Sequence, residues 1–392
     1  MLALLLGATA AKAGAMLHAY VGTYTPRDFA PGQPPLTTLP GPTDFNHGRG
    51  IYLVEIDATT GAMAPPRLVA ETPAPSWLLA DPRHDILYAA NESGAAKGGM
   101  VSAFRIDPAT HALIALGTQP TGGAPVSLAL DPSGRYLLAA NYGGGSVAVF
   151  PIRADGSLDP ASDVHPTLDP AAPPQPRSPT LRTGDGPALV HMVGTDHRGR
   201  FVVANDAAQD RVYVWRLERG RLVANDPPFF PTPRGTFPRH FVFSPDDRHF
   251  YNLGERDASL SLSDVAVAAG QLRLTPRQRV STLPADFQGA NQTSELLIAR
   301  DGRHLYAANR SHDTIAMFAA DATGHLTPLG EIATGNDHPR SLAFDPTERF
   351  LYSLNQRGDS ITQFRVDPKS GQLTASGRSL FIESPAAMAF AR

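Results

Sequence analysis

Along most of the chain, short apolar runs alternate with polar turns in one recurring phrase: an apolar stretch, an Asp, Pro or Gly turn, and an apolar strand ending in a polar tip. An alternating strand and a Gly-x-Leu turn then follow. The turn-and-strand part appears as Asp81-Pro82 with Leu87-Tyr88-Ala89-Ala90-Asn91, and again as Asp131-Pro132 with Leu137-Leu138-Ala139-Ala140-Asn141. Further copies end at Asn205, Gly254, Asn309 and Asn355, so from Asn91 the spacing runs 50, 64, 49, 55 and 46 residues. Such spacing is the blade period of a propeller. The alternating segments, for example Val101-Ser102-Ala103-Phe104-Arg105-Ile106 and Val212-Tyr213-Val214-Trp215, carry the period-2 pattern of half-buried strands. Four short antiparallel strands per copy follow.

The ends of the chain complete the count. Tyr20-Val21-Gly22-Thr23-Tyr24 matches the second-strand phrase with no first strand before it, while Pro385-Ala386-Ala387-Met388-Ala389-Phe390 matches the first-strand phrase with nothing after it. Joined, they make a seventh blade. The expected fold is all-β, a seven-bladed β-propeller closed by its N-terminal and C-terminal strands in one blade, which leaves only short, protected sheet edges. One domain is expected over 17–392. Pro-rich stretches near 27–47 and 158–187 do not fit the repeat and read as surface loops. Residues 1–16 resemble the apolar core and small-residue cleavage region of a secretory leader without its positive charge. The predicted location is periplasmic if that leader directs export and cytoplasmic otherwise. The stretch is too short to span a membrane.

Composition narrows the chemistry. The 35 glycines and 37 prolines in 392 residues, with 42% apolar content, fit a turn-rich globular chain. A formal charge of −3 offers no basic footprint for nucleic acid. Without cysteine there is neither a thiolate metal site nor a cysteine nucleophile. No Gly-x-Ser-x-Gly elbow is present, and Gly143-Gly144-Gly145 lies between strands, as a hairpin turn rather than a phosphate loop. No His pair with a carboxylate stands at metal-ligand spacing on one element. Neither a metal nor a cofactor is expected, and the sequence gives no handle on oligomeric state.

In a propeller the innermost strands line a central channel. Aligned on the Pro before each first strand, one column holds Ser76, Val126, Val190, Arg239, Ser294, Arg340 and Ala386, and the next holds Trp77, Ser127, His191, His240, Glu295, Ser341 and Ala387. Strand alternation predicts that only one column faces inward. The tips of the second strands add Tyr24, Glu92, Tyr142, Asp206, Glu255, Arg310 and Gln356, a mixture that suggests a polar pocket at one face of the disc. The recurring Asn reads as a turn cap bonded to its own backbone.

Four phrases, Tyr20-Val21-Gly22-Thr23-Tyr24-Thr25, Ala139-Ala140-Asn141-Tyr142-Gly143-Gly144-Gly145-Ser146-Val147, Phe237-Pro238-Arg239-His240 and Asn309-Arg310-Ser311-His312-Asp313-Thr314-Ile315, occur in this order. Through them the chain resembles the propeller-type lactonases, a family that includes 6-phosphogluconolactonases and carboxymuconate cyclases. The resemblance implies hydrolysis of a sugar lactone, 6-phosphogluconolactone or a related aldonolactone, with that small molecule as the partner. It carries family positions onto Arg239, Glu255 and Arg310. A family His-x-His phrase falls on Leu189-Val190-His191, so its first His is absent.

Lactone hydrolysis needs a base to activate water and donors for the oxyanion. Glu255 or His191 is the candidate base, and Arg239 and Arg310 are candidates for the oxyanion or a substrate anion. His240, Glu295, Arg340, Tyr142 and Asp206 are candidates for substrate binding. Two of these also have a purely structural reading, His240 bonded to a backbone carbonyl and Arg340 in an ion pair with Glu295. The alternative function is a non-enzymatic exported propeller, a rigid binding platform.

Overall fold

The computed structural model describes residues 15–26, 46–81, 83–93, 98–168 and 187–391. The leader, save its last two residues, and most of both Pro-rich stretches lie outside them. The described residues form 28 strands in seven four-stranded antiparallel sheets, and no helix. Numbering blades from the first complete one, their innermost strands are Pro75–Asp81, Pro125–Leu130, Val190–Thr195, Pro238–Phe243, Gln292–Ile298 and Pro339–Phe344. The closing blade joins the two ends of the chain: Pro385–Ala391 pairs antiparallel with Met16–Thr23, in a register that sets Tyr20 opposite Ala389. The segment read as a loop from 158 contains the outer strand of blade two, Asp163–Pro166. Its four residues are too few, and too exposed, to carry a periodic signal.

The core lies between blades. Tyr88, Ala90 and Val101 of blade one pack against Leu128, Leu137 and Phe150 of blade two, and equivalent clusters fill the other junctions. Each such side chain contributes about 1.5–3 kcal/mol on burial, so closure of the ring does not depend on the channel, which is free to hold polar groups. The second-strand tyrosines stitch neighbouring blades. Tyr88, Tyr251 and Tyr306 donate to the carbonyl oxygens of Gly156, Gly324 and Gly371 at 2.8, 3.0 and 2.9 Å. At Gly22, in the opening phrase, a Cβ would collide with the Pro75 carbonyl oxygen, which explains a glycine there.

The recurring Asn side chains are structural, though not as caps of their own turns. Asn91, Asn141 and Asn309 donate to the carbonyl oxygens of Pro73, Thr121 and Thr282, which tether the crossover from the preceding outer strand.

The innermost strands depart from simple alternation in one consistent way. In every blade the register with the second strand slips near the start of the first strand. The slip passes over Ser76, Val126, His191, Arg340 and Ala386 singly, and over the pairs Arg239-His240 and Ser294-Glu295. Such β-bulges leave residues unpaired and re-aim their side chains. The expectation that one column alone faces inward is therefore corrected. Side chains of both columns line the channel, and in blades four and five, where the charges are concentrated, the bulge sets two residues of the first strand against one of the second.

Candidate active site

At the end of the channel where first strands begin and second strands finish, the bulges deliver a buried charged cluster. Arg239, three per cent exposed, donates through Nη1 to Glu255 Oε2 at 3.0 Å and through Nε to the Ser294 carbonyl oxygen at 2.7 Å. Arg310 meets the other oxygen of the same carboxylate, Nη2 to Oε1 at 3.1 Å, and donates to the Thr293 carbonyl oxygen at 2.8 Å. Glu255 is thus clamped between two guanidinium groups. Burial alone would raise its pKa, but Arg310, Arg239 and Arg256 outweigh burial and hold it at about 2. Burial lowers Arg310 to about 9 against the pull of Glu255, and burial together with Arg340 lowers Arg239.

Two histidines share the cavity behind this clamp. Arg239 Nη1 also bonds His191 Nε2. A guanidinium has no lone pair to offer, so Nε2 of His191 is the acceptor and its proton resides on Nδ1, a buried atom with no partner among the described residues. Burial, reinforced by Arg239, keeps this imidazole well below its ordinary pKa. His240 is held from the opposite side, Nδ1 to Glu295 Oε1 at 2.7 Å. Ser341 Oγ donates to Oε2 of the same carboxylate at 3.1 Å, and the Leu296 amide to Oε1 at 3.2 Å. Surrounded by donors, Glu295 is ionised and His240 Nδ1 carries the proton. His240 Nε2 is then a buried lone pair without a partner among the described residues. The two rings lie 5.4 Å apart, edge to face, and Trp77 meets His240 edge-on at 5.5 Å. The cavity that His191, Arg239, His240, Glu295, Arg340 and Trp77 help to line has a volume of about 10 Å³, the room of one water.

Arg340 departs from the expected pair with Glu295. Its Nη2 and Nε donate to Tyr24 Oη at 2.6 and 3.1 Å, Tyr24 donates to Glu92 Oε2 at 2.6 Å, and Arg340 lies 3.7 Å from that carboxylate. His240, likewise, is bonded to a carboxylate rather than to a backbone carbonyl. Burial pushes the Tyr24 phenol up to about 12, so it stays a neutral relay between the two.

Of the predicted site residues, Arg239, Glu255, Arg310, His191, His240, Glu295 and Arg340 converge, and Tyr142 walls the group with its ring edge-on to His191 at 5.4 Å. Asp206 does not join them. It is fully buried at the end of the strand Val202–Asp206, taking hydrogen bonds from Thr167 and Gln209 at 2.6 Å and from the Leu189 amide at 3.0 Å. Leu189 packs with Ala207, Ala208 and Phe237, so the position of the absent family His lies in an apolar cluster while His191 lines the cavity. One neighbour was missed. His338, buried and driven to about 2 by burial and then by Arg310, sits just before Pro339-Arg340, where blade four has Phe237 before Pro238-Arg239. The residue before that Pro is Ala74, Ala124, Phe237 or Ser384 in other blades, so a titratable histidine there was the available signal. Among the described residues, no three His, Cys, Asp or Glu side chains are grouped so as to hold a metal ion.

Comparison with known proteins agrees with the fold. The profile of the family described as Lactonase, 7-bladed beta-propeller, matches residues 18–390. A 6-phosphogluconolactonase of Bacillus subtilis (strain 168) is 31% identical over 349 residues, covering 87% of this chain and 94% of that protein. One of Serratia proteamaculans (strain 568) is 27% identical over 281 residues, 71% of this chain and 78% of the relative. The solved structure of Pseudomonas aeruginosa periplasmic gluconolactonase, PpgL, superposes with a TM-score of 0.83 at 31% identity, covering 96% of this chain and 99% of that one.

Proposed function

The chain belongs to the seven-bladed β-propeller lactonase family, and from that premise we propose that it hydrolyses a sugar lactone, gluconolactone or its 6-phosphate, in the polar end of the channel. The observation that carries the assignment to this site is the clamp of Arg239 and Arg310 on opposite oxygens of Glu255. Buried guanidinium groups at close quarters repel one another, and a scaffold gains nothing from collecting them. A reaction that develops an oxyanion and ends in a carboxylate does. With Arg256 and Arg340, four guanidinium groups stand against the carboxylates of Glu255, Glu295 and Glu92, one positive charge in surplus for an anion. Guanidinium forks suit carboxylate, oxyanion and phosphate alike.

The clamp also bears on the choice of base. Glu255 spends both oxygens on arginines and its pKa is held at about 2, so its part is to orient Arg239 and Arg310. His191 has given its lone pair to Arg239 and offers an N–H, the property of an electrophilic donor rather than of a base. The direct experiment is hydrolysis of gluconolactone and of its 6-phosphate by purified protein, beside Glu255→Gln and Arg239→Ala. Wild type is expected to exceed the uncatalysed rate on at least one of them, with both variants strongly impaired. Background rates from wild type on both lactones would overturn the assignment.

A further inference from the structure

His240 and Glu295 form a unit that the clamp does not use. Both lie in the first-strand bulges of adjacent blades, both are buried, and the 2.7 Å bond between them fixes the imidazole with its proton on Nδ1. Glu295 is itself held by Ser341 and by the Leu296 amide. At the other end of the ring, Nε2 is buried, lacks a partner among the described residues, and belongs to a side chain that lines a cavity the size of one water. Burying an acceptor without a hydrogen bond is costly, and a structural histidine so placed would ordinarily satisfy both nitrogens. A carboxylate behind an imidazole, with a lone pair in front of it, is the arrangement that accepts a proton and stabilises the resulting cation.

We propose that His240, positioned by Glu295, is the general base of the lactonase reaction, acting on a water held in this cavity. The inference rests on the lactonase reading of the site. As an O–H bond of the water breaks, its proton passes to Nε2, the water oxygen bonds to the lactone carbonyl carbon, and the carbonyl electron pair moves onto oxygen beside the arginines. The tetrahedral adduct then collapses: the ring C–O bond breaks, and the departing ring oxygen takes the proton back from Nε2. Lactone and water give the open hydroxy acid, with nothing oxidised or reduced. The groups facing His240 come from four blades. Burial lowers its pKa, Glu295 opposes that from blade five, and Arg239 and Arg340 add to the lowering from blades four and six, with neutral His191 opposite. The imidazole is therefore in its basic form at neutral pH.

The test uses the full chain with whichever of the two lactones it hydrolyses. In His240→Asn, kcat is expected to fall about 10²- to 10⁴-fold while KM stays within about threefold, and added imidazole is expected to restore turnover in His240→Gly. In Glu295→Gln, loss of the carboxylate lowers the His240 pKa further, so kcat falls and the acid limb of the kcat/KM profile moves to lower pH. Circular dichroism establishes that each variant is folded, and if His240→Asn is not, the limb in Glu295→Gln decides alone. Wild-type kcat in folded His240→Asn, or an unmoved limb in Glu295→Gln, would overturn the proposal while leaving an active wild type as a lactonase. An inactive wild type would instead sink the lactonase reading on which it rests.

Discussion

His191 and His240 line one cavity, are equally well buried and carry their protons on the same ring nitrogen, yet they present opposite ends to it. His191 spends its lone pair on Arg239 and keeps a free N–H, whereas His240 spends its N–H on Glu295 and keeps a free lone pair. The partner, not the imidazole, decides which end is left to work. A cation behind the ring makes a donor, and an anion behind it makes an acceptor. The same division runs through the rest of the site, with guanidinium groups on the Glu255 side to receive charge and a carboxylate behind His240 on the other to help take up a proton.

The severest way to break this division is Glu255→Gln. It strips the shared counter-ion from two buried guanidinium groups, and kcat/KM is expected to fall about 10³-fold, on the scale of losing oxyanion donors. Urea unfolding should register a loss of about 3–5 kcal/mol, the usual cost of leaving a buried charge uncompensated. Arg239→Ala is expected to cost about 10²-fold in kcat/KM. It should also release His191, whose titration moves up towards the ordinary imidazole range because the cation on its lone pair is gone, while His240 follows to a smaller degree.

Acid treatment acts on both sides together. His191, His240 and His338 have folded pKa values below 6.5, so as pH falls through 6.5 the unfolded chain takes up protons that the folded chain refuses, and stability declines. Glu255 contributes stability above its ordinary 4.5 and loses it as pH falls towards about 2. Urea midpoints from pH 7 to pH 3 should therefore decrease throughout, with a shallower decline below pH 4.5 in Glu255→Gln. The smallest effect sharpens the His240 side alone. Ser341→Ala removes one hydrogen bond to Glu295, worth about 1 kcal/mol, and kcat is expected to fall about fivefold with KM unchanged.

How much of this could be read in advance follows from what repeats and what does not. The seven blades were legible because the turn-and-strand phrase recurs at blade spacing, and closure was legible because Tyr20-Val21-Gly22-Thr23-Tyr24 and Pro385–Phe390 are complementary halves of one phrase. The outer strand Asp163–Pro166 was not, being too short to show a period. The two candidate columns contained His191, His240, Glu295 and Arg340, but alternation could not foresee bulges, which depend on how the second strand pairs. Pairing also decided the partners: Glu295 met His240 rather than Arg340, and Arg340 met Tyr24, the tip residue of the closing blade. Asp206 shares the tip position of Glu255, yet Thr167 and Gln209 occupy its carboxylate, which no blade alignment reveals.

The most direct measurement is nitrogen-15 NMR of the imidazole side chains at neutral pH, assigned by comparison with His191→Asn and His240→Asn. The account predicts that both rings are neutral and protonated on Nδ1, with His240 Nε2 resonating as an imine nitrogen not bonded to a protein donor, and with the His191 Nε2 resonance changing in Arg239→Ala. A His240 that is an imidazolium at neutral pH, or that carries its proton on Nε2, would contradict it.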